Sequence, residues 1–330
     1  MTEWLYEEGI GENRAILVSD GAIVEAAIEL PSKARAGAIA DARVTAILIP
    51  GRRAILTMDD GTEALLEPVP SGVTEGQSVR AEIIREAIGE GGRVKRAKAR
   101  LTDAGLREGP SLLKRIAATD HGVFRHTYPG ADRFEQAGWS ELLEQAATGE
   151  IPFEGGALRM SLTPAMTLFD VDGVLPPATL AIAGAEAAAC AIRQLGITGS
   201  IGIDLPTLAA RAERQAAAQA LDAILPQPFE RTAVNGFGFL QLVRRRHRAS
   251  IAEIIQLDQV GAAARALLRR AERSQGAGPR ALTAAPSVIA RIEAQPLWVE
   301  ELARRLGTAV DLRADPGLAI SAGHVHSAFA

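Results

Sequence analysis

Two apolar segments lead into aspartates, Met166-Thr-Leu-Phe-Asp170-Val-Asp172-Gly and Gly199-Ser-Ile-Gly-Ile-Asp204-Leu, with one helix-length segment between them. Strand, helix and strand in that order predict an α/β layer whose strand ends converge on one site. An ionised carboxylate at the mouth of an apolar strand is costly unless a cation compensates it. Mg²⁺ prefers one or two carboxylates, with waters and phosphate oxygens completing its shell. Asp170 and Asp204 therefore predict a divalent-metal site and phosphodiester chemistry. The plainer alternative is that both cap strand ends without metal.

The chain has 330 residues, 47% hydrophobic and 23% charged, enough for a core and for two or three domains. Its net charge of −4 argues against coating nucleic acid by bulk charge, although basic residues can still gather on one face. Only four of the 36 basic residues are lysines, and none follows Lys114. Phosphate contacts in the second half would fall to arginine, whose planar fork suits bidentate pairing. Lone Cys190 excludes an internal disulfide and any multi-cysteine zinc site. The opening Met1-Thr-Glu-Trp-Leu-Tyr-Glu-Glu has no basic and apolar leader pattern, and no apolar run has membrane-spanning length. The expectation is a cytoplasmic protein without a membrane partner.

Arg14–Val18 and Ala22–Ala26, joined at Asp20-Gly21, predict an opening hairpin within residues 1–36. From Gly37 to Thr102, strand-like segments punctuated by Pro50-Gly51, Asp60-Gly61 and Ser71-Gly72 predict a small barrel. That stretch contains no Phe, Tyr or Trp, so the usual stacking of bases on aromatic rings is missing from it. It offers charge instead: Arg52, Arg53, Arg93, Lys95, Arg96, Lys98 and Arg100. Strand alternation sets Arg96, Lys98 and Arg100 opposite Ala97, Ala99 and Leu101. Both phosphate contact and a charge-guarded sheet edge fit that pattern.

Residues 103–154 read as helical and irregular. Beyond them, a helix is expected over Ala178–Leu195, closed by Gly196, and a second from the turn containing Pro206 to Ile224. The last strand of the layer is expected over Glu230–Arg246, with Phe237-Gly238 inside it and an arginine run, Arg244-Arg-Arg-His-Arg248, at its exit. From about Ala262 the pattern is helical again, with a break at Gly276-Ala-Gly-Pro279.

Four blocks occurring in one order resemble the ribonuclease E/G family of single-strand endoribonucleases. They are Phe153-Glu-Gly155-Gly156, Ala165-Met-Thr-Leu-Phe-Asp170-Val-Asp172, Gly199-Ser-Ile-Gly-Ile-Asp204 and Phe237-Gly-Phe-Leu-Gln-Leu-Val-Arg244. The resemblance implies an α+β / α/β multidomain chain. After the hairpin of residues 1–36 would come an OB-fold RNA-binding barrel over 37–102, then a reduced 5′-sensor and RNase H-like region over 103–154. A DNase I-like α/β catalytic domain would span 155–255, and a linker with a small C-terminal α/β domain 256–330.

The function implied is Mg²⁺-dependent hydrolysis of single-stranded RNA to 5′-phosphate and 3′-hydroxyl ends, in RNA processing or decay, with Mn²⁺ as a substitute ion. Asp170 and Asp204 would hold the metal. Asp172, the third catalytic position, replaces a family asparagine that donates to the carboxylates, and an ionised aspartate cannot donate. Phe237 would line the site. Arg52, Arg53, Lys95, Arg96, Lys98, Arg100, Arg244 and Arg246 would meet RNA, and Arg125 and Thr127 would be remnants of the 5′-monophosphate pocket. Arg125 stands one place early, with His126 intervening. The family's zinc link is replaced by Gln256-Leu-Asp-Gln-Val-Gly261, so no zinc is expected and any homo-oligomer would not be zinc-bridged. The arginine before the Phe-Gly pair is Gly236, and the acidic residue three places after the second ligand is Thr207. The alternative function is a catalytically weak or inactive RNA-binding relative.

Leu168-Phe-Asp-Val-Asp-Gly-Val-Leu175 also resembles the first motif of the haloacid dehalogenase phosphohydrolases. That chemistry needs a later Lys or Arg and a Gly-Asp metal motif. No lysine follows Lys114 and no Gly-Asp follows Gly173, so the nuclease resemblance explains more of the chain.

Overall fold

The computed structural model describes residues 2–32, 34–90, 93–126 and 130–329. Strands β1 (Thr2–Glu8), β2 (Asn13–Ser19) and β3 (Ala22–Glu29) form an antiparallel meander. Asp20 and Gly21 both take positive φ, 52° and 83°, the geometry of a tight hairpin turn. The expected hairpin is therefore present, but as part of a four-stranded sheet. Trp4, Leu5 and Tyr6 of β1 are all buried, so β1 is covered on both faces and shows no period-two signature.

The barrel is closed. Its strands are β4 (Ile39–Ile49), β5 (Arg53–Met58), β6 (Glu63–Leu66), β7 (Ser78–Arg85) and β10 (Ala97–Leu101), and a short hairpin of β8 (Ile88–Glu90) and β9 (Arg93–Lys95) precedes the last. Around the barrel the order is β4-β5-β6-β10-β7, with only the β6–β10 pair parallel. Its interior is small-chained: Ala42, Ala54, Ala64, Ala81, Ala97 and Ala99 pack with Val44, Leu56, Leu66 and Ile83. A narrow barrel leaves room for little more. The basic stretch expected to be one strand is divided, with Lys95 ending β9 and Lys98 and Arg100 in β10.

Helix α1 (Leu112–Ala117) leads to β11 (Gly122–Arg125), which pairs parallel to β1 and makes this region less helical than expected. Helices α2 (Arg133–Gln136) and α3 (Trp139–Thr148) follow. A six-stranded sheet then forms from β12 (Glu150–Phe153), β13 (Gly156–Leu162), β14 (Thr167–Gly173), β15 (Gly199–Asp204), β16 (Glu230–Arg231) and β17 (Phe239–Arg244), in the order β12-β13-β14-β15-β17-β16. Helix α4 (Pro177–Gln194) connects β14 to its parallel neighbour β15. One face of this sheet, carrying Leu158, Phe169, Val171, Ile201, Ile203 and Leu240, packs into the main core with the alanine-rich side of α4. Gly184 permits the approach, because a Cβ there would lie 2.4 Å from Val171. Helix α5 (Arg211–Ile224) packs on α4.

Two expectations are corrected here. Pro206 is not in a helix; residues 205–209 form a loop tied to the segment before β17 by the Leu205 N–H to Gly238 carbonyl bond of 3.2 Å. The span 230–246 is not one strand either, since residues 232–238 turn back between β16 and β17.

Helices α6 (Ile251–Leu257) and α7 (Gln259–Glu272) begin earlier than expected. They lead to a three-stranded sheet of β18 (Ala277–Ala284), β19 (Val310–Ala314) and β20 (His324–Phe329), with α8 (Pro286–Glu293) and α9 (Pro296–Leu306). The Gly276–Pro279 break is thus largely the start of β18. No helix among the described residues is long and apolar enough to cross a membrane.

Candidate functional site

Alternation along β14 turns Thr167, Phe169 and Val171 inward and leaves Leu168, Asp170 and Asp172 on the opposite face. Along β15, Ile201 and Ile203 point into the core and Asp204 is exposed. The parallel register pairs Asp170 directly with Asp204. Neighbouring strands lie about 4.8 Å apart, so the two carboxylates start side by side. The sequence placed both at strand ends. Asp204 does end β15, but β14 runs on to Gly173 and Asp170 is its fourth residue. Among the described residues neither carboxylate has an ion-pair partner.

Asp172 differs. It lies two residues farther along the same face, and its Oδ2 is 3.5 Å from Nη1 of Arg159. Arg159 stands opposite Asp170 in the antiparallel β13–β14 register and also reaches Glu150, at 3.6 Å. Asp172 is thus tied to a cation on the neighbouring strand, and among the described residues no three His, Cys, Asp or Glu side chains group as metal ligands. Arg159 was not singled out from sequence. Its signal was the alternation of Leu158 and Met160 with Arg159 and Ser161, which needed the hairpin register to be useful.

At the same end of the sheet, Phe239 opens β17 opposite Asp204, and Phe237 stands in the preceding loop with 83% of its surface exposed. Asn235 organises that loop, its Oδ1 accepting from the N–H groups of Phe237 (2.9 Å) and Phe239 (3.1 Å). Thr207 donates to the Phe237 carbonyl at 3.3 Å. Gly238 has φ 94°, and a Cβ there would lie 2.1 Å from the Leu205 carbonyl oxygen. Val174, in the loop after β14, is 93% exposed and was not singled out from sequence. The two carboxylates therefore share one end of the sheet with two exposed apolar side chains. Isolated exposed apolar residues are ordinary, and only this placement marks them.

The arginine run lies elsewhere. β17 is antiparallel to β15, so Arg244 pairs with Gly199, about 17 Å along the strand from Asp204. Arg244 donates to the Ile197 carbonyl at 3.1 Å, and burial pushes its pKa down. Arg246 pairs with Glu253, and Arg248 lies 3.6 Å from Glu86. The strand direction thus sets the arginine run apart from the aspartate pair.

On the barrel, Arg96 pairs with Glu63 (2.7 Å), Lys98 with Glu67 (2.9 Å) and Arg100 with Glu82 (2.7 Å), while Arg53 shares Glu67 at 2.9 Å. Hydrogen bonds from Lys98 and Arg53 hold the Glu67 carboxyl down at about 2. Arg52 is exposed at the β4–β5 turn beside Leu48 and Ile49, which are 55% and 39% exposed. Lys95 ends β9. Arg125 ends β11 in register with Tyr6 and lines a cavity of about 460 Å³ with His126, Arg273, Arg304, Arg305 and three glutamates. Burial, then Glu8, pushes the Tyr6 hydroxyl up to about 12, and burial pushes His126 down. Thr127 lies outside the described residues.

Compared with known proteins, the chain matches no family model and no curated protein.

Proposed function

We propose that the chain is a Mg²⁺-dependent endoribonuclease that cleaves single-stranded RNA to 5′-phosphate and 3′-hydroxyl ends, with Asp170 and Asp204 as metal ligands. The observation that carries this reading is their direct pairing in adjacent parallel strands, on one exposed face, with no ion-pair partner among the described residues. Two like charges at that spacing repel, and a divalent cation relieves the repulsion. Two carboxylates open to solvent also fit Mg²⁺, which retains waters and takes phosphate oxygens.

The ribonuclease E/G-like order of the four sequence blocks supports the same assignment, and so does the barrel. Its first, second, third, fifth and fourth strands neighbour in that order, with third and fifth parallel. We read it as an OB-fold that receives the single strand. We read the six-stranded layer as the DNase I-like catalytic domain and residues 256–330 as the small C-terminal domain.

When bound, Mg²⁺ would polarise the scissile phosphate and lower the pKa of a bound water to supply hydroxide. Asp170 and Asp204 fix the position of that chemistry on the sheet. Phe237 and Val174, exposed at the same end of the sheet, would give a base or ribose an apolar surface. Arg159 holds Asp172 in an ion pair.

The second reading is a non-catalytic RNA-binding relative. Arg159 favours it, because this guanidinium opposite Asp170 already supplies positive charge to the carboxylate face. End-labelled single-stranded RNA incubated with Mg²⁺, followed by mapping of product ends, separates the two. Fragments bearing 5′-phosphate and 3′-hydroxyl support the nuclease. RNA retained intact in a stable complex supports the second reading.

A further inference from the structure

A second site stands apart from the aspartate face. A cavity of about 1030 Å³ lies among β2, β3, α3, α6 and α7, near the upper end of the size range of small-molecule pockets. Its walls change character along α7. Gln259, Ala262, Ala263 and Ala266 line its first part, together with Arg265, which is paired with Glu12, and Arg269, Arg270 and Arg273 line its last. Ile28, Leu143, Ile254 and Ile255 complete the aliphatic part, and no aromatic ring lines it among the described residues. From Ala262 to Arg270 the helix rises about 12 Å, so the apolar and cationic ends are separated by the length of a small amphiphile.

The charges at the cationic end are unevenly matched. Arg265 and Arg269 share Glu12, with the Arg265 contact at 3.0 Å. Arg273 pairs with Glu7 and, at 2.6 Å, with Asp132. Arg14 is 1% exposed, gives Nη2 to Glu7 at 3.2 Å and lies 3.9 Å from Asp132, while among the described residues its Nε and Nη1 have no hydrogen-bond partner. The Arg14 guanidinium also lies 4.1 Å from the Phe134 ring centroid. Arg270 has no carboxylate within ion-pair distance among the described residues, and its Nε meets the Ala266 carbonyl at 3.4 Å. Burial pushes the Arg14 pKa down, with Glu7 pulling the other way. Glu135 and Glu144 line the rim, where they and Arg270 are solvent-exposed.

We propose that this cavity binds an acyl-chain carboxylate, with its alkyl body along the alanine face of α7 and its carboxylate received by Arg14 and Arg270. Aliphatic walls suit an alkyl chain, whereas a nucleobase is ordinarily held between aromatic rings. Two N–H groups of a buried guanidinium gain an acceptor, which removes the cost of leaving buried donors unsatisfied. The site is independent of the RNA reading, and either can fail without the other.

The test is calorimetric titration of the full chain with decanoate, decan-1-ol, acetate and adenosine monophosphate. Saturable one-to-one binding of decanoate is expected, with decan-1-ol and acetate each at least about tenfold weaker, since each lacks one half of the recognition. Ala266→Trp, which fills the apolar part, should abolish decanoate binding, and Arg270→Ala should weaken it about tenfold. Circular dichroism shows whether each variant is folded, and Ala263→Leu replaces Ala266→Trp if the larger residue prevents folding. Absence of saturable decanoate binding overturns the proposal. So does binding that survives the cavity-filling variant, or adenosine monophosphate binding more tightly than decanoate.

Discussion

Asp170 and Asp204 meet because a parallel register sets them opposite each other, whereas Asp172 is drawn to Arg159. Replacing Asp172 by Asn should therefore leave metal-dependent turnover unchanged or raised. It breaks an exposed pair worth about 0–1 kcal/mol, so the urea midpoint should move little. Steady-state cleavage at saturating Mg²⁺ checks this, and a loss as large as that of Asp170→Asn would make Asp172 a ligand. Gly238 offers a second test. Its left-handed φ and its contact with the Leu205 carbonyl leave no space for a methyl group, so Gly238→Ala should cost about 1–3 kcal/mol in denaturant unfolding. The same variant should lower cleavage, because the loop carrying Phe237 has to shift. The aspartates were legible in sequence because polar residues ending apolar runs are conspicuous. Arg159 was not, because its role depends on which strand pairs with which.

The barrel shows the same division among elements. Alternation with alanine correctly set Lys98 and Arg100 on the outer side, but Glu63, Glu67 and Glu82 enter as partners only through the β6–β10 and β7–β10 registers. Freeing these cations with Glu63→Gln, Glu67→Gln and Glu82→Gln together should tighten single-stranded RNA binding. It should also steepen the dependence of affinity on salt, as measured by fluorescence anisotropy across salt concentrations. An unchanged salt slope would show that this face does not meet phosphate. Glu67 also adds a pH dependence. Its folded pKa of about 2 lies below the ordinary carboxyl value, so its contribution is present above about pH 4.5 and is lost as pH falls toward 2. Glu67→Gln should flatten that acid limb in urea unfolding followed from pH 5 to pH 2.5. Element boundaries were misjudged where tertiary contacts decide them, as at Pro206, whose loop is tied to Gly238 rather than continued into α5.

On the scale of the molecule, the N-terminal sheet and the C-terminal helices are joined by a buried charge network that no local pattern announces. Glu12, 4% exposed, receives both Arg265 and Arg269 from more than 250 residues away. Removing one member of a buried pair strands the others, so Glu12→Gln should destabilise the chain by about 3–5 kcal/mol in equilibrium unfolding. A change within experimental error would mean that the arginines find other acceptors. The proposed metal centre rests on a different pair, Asp170 and Asp204. Mg²⁺-dependent cleavage of labelled single-stranded RNA, measured side by side for the unaltered chain, Asp170→Asn and Asp204→Asn, tests it most directly. Each substitution removes one ligand charge and should lower the rate at least about a hundredfold, or about 2.7 kcal/mol of barrier. Cleavage that persists unchanged in either variant would contradict the assignment of this aspartate pair as the metal centre.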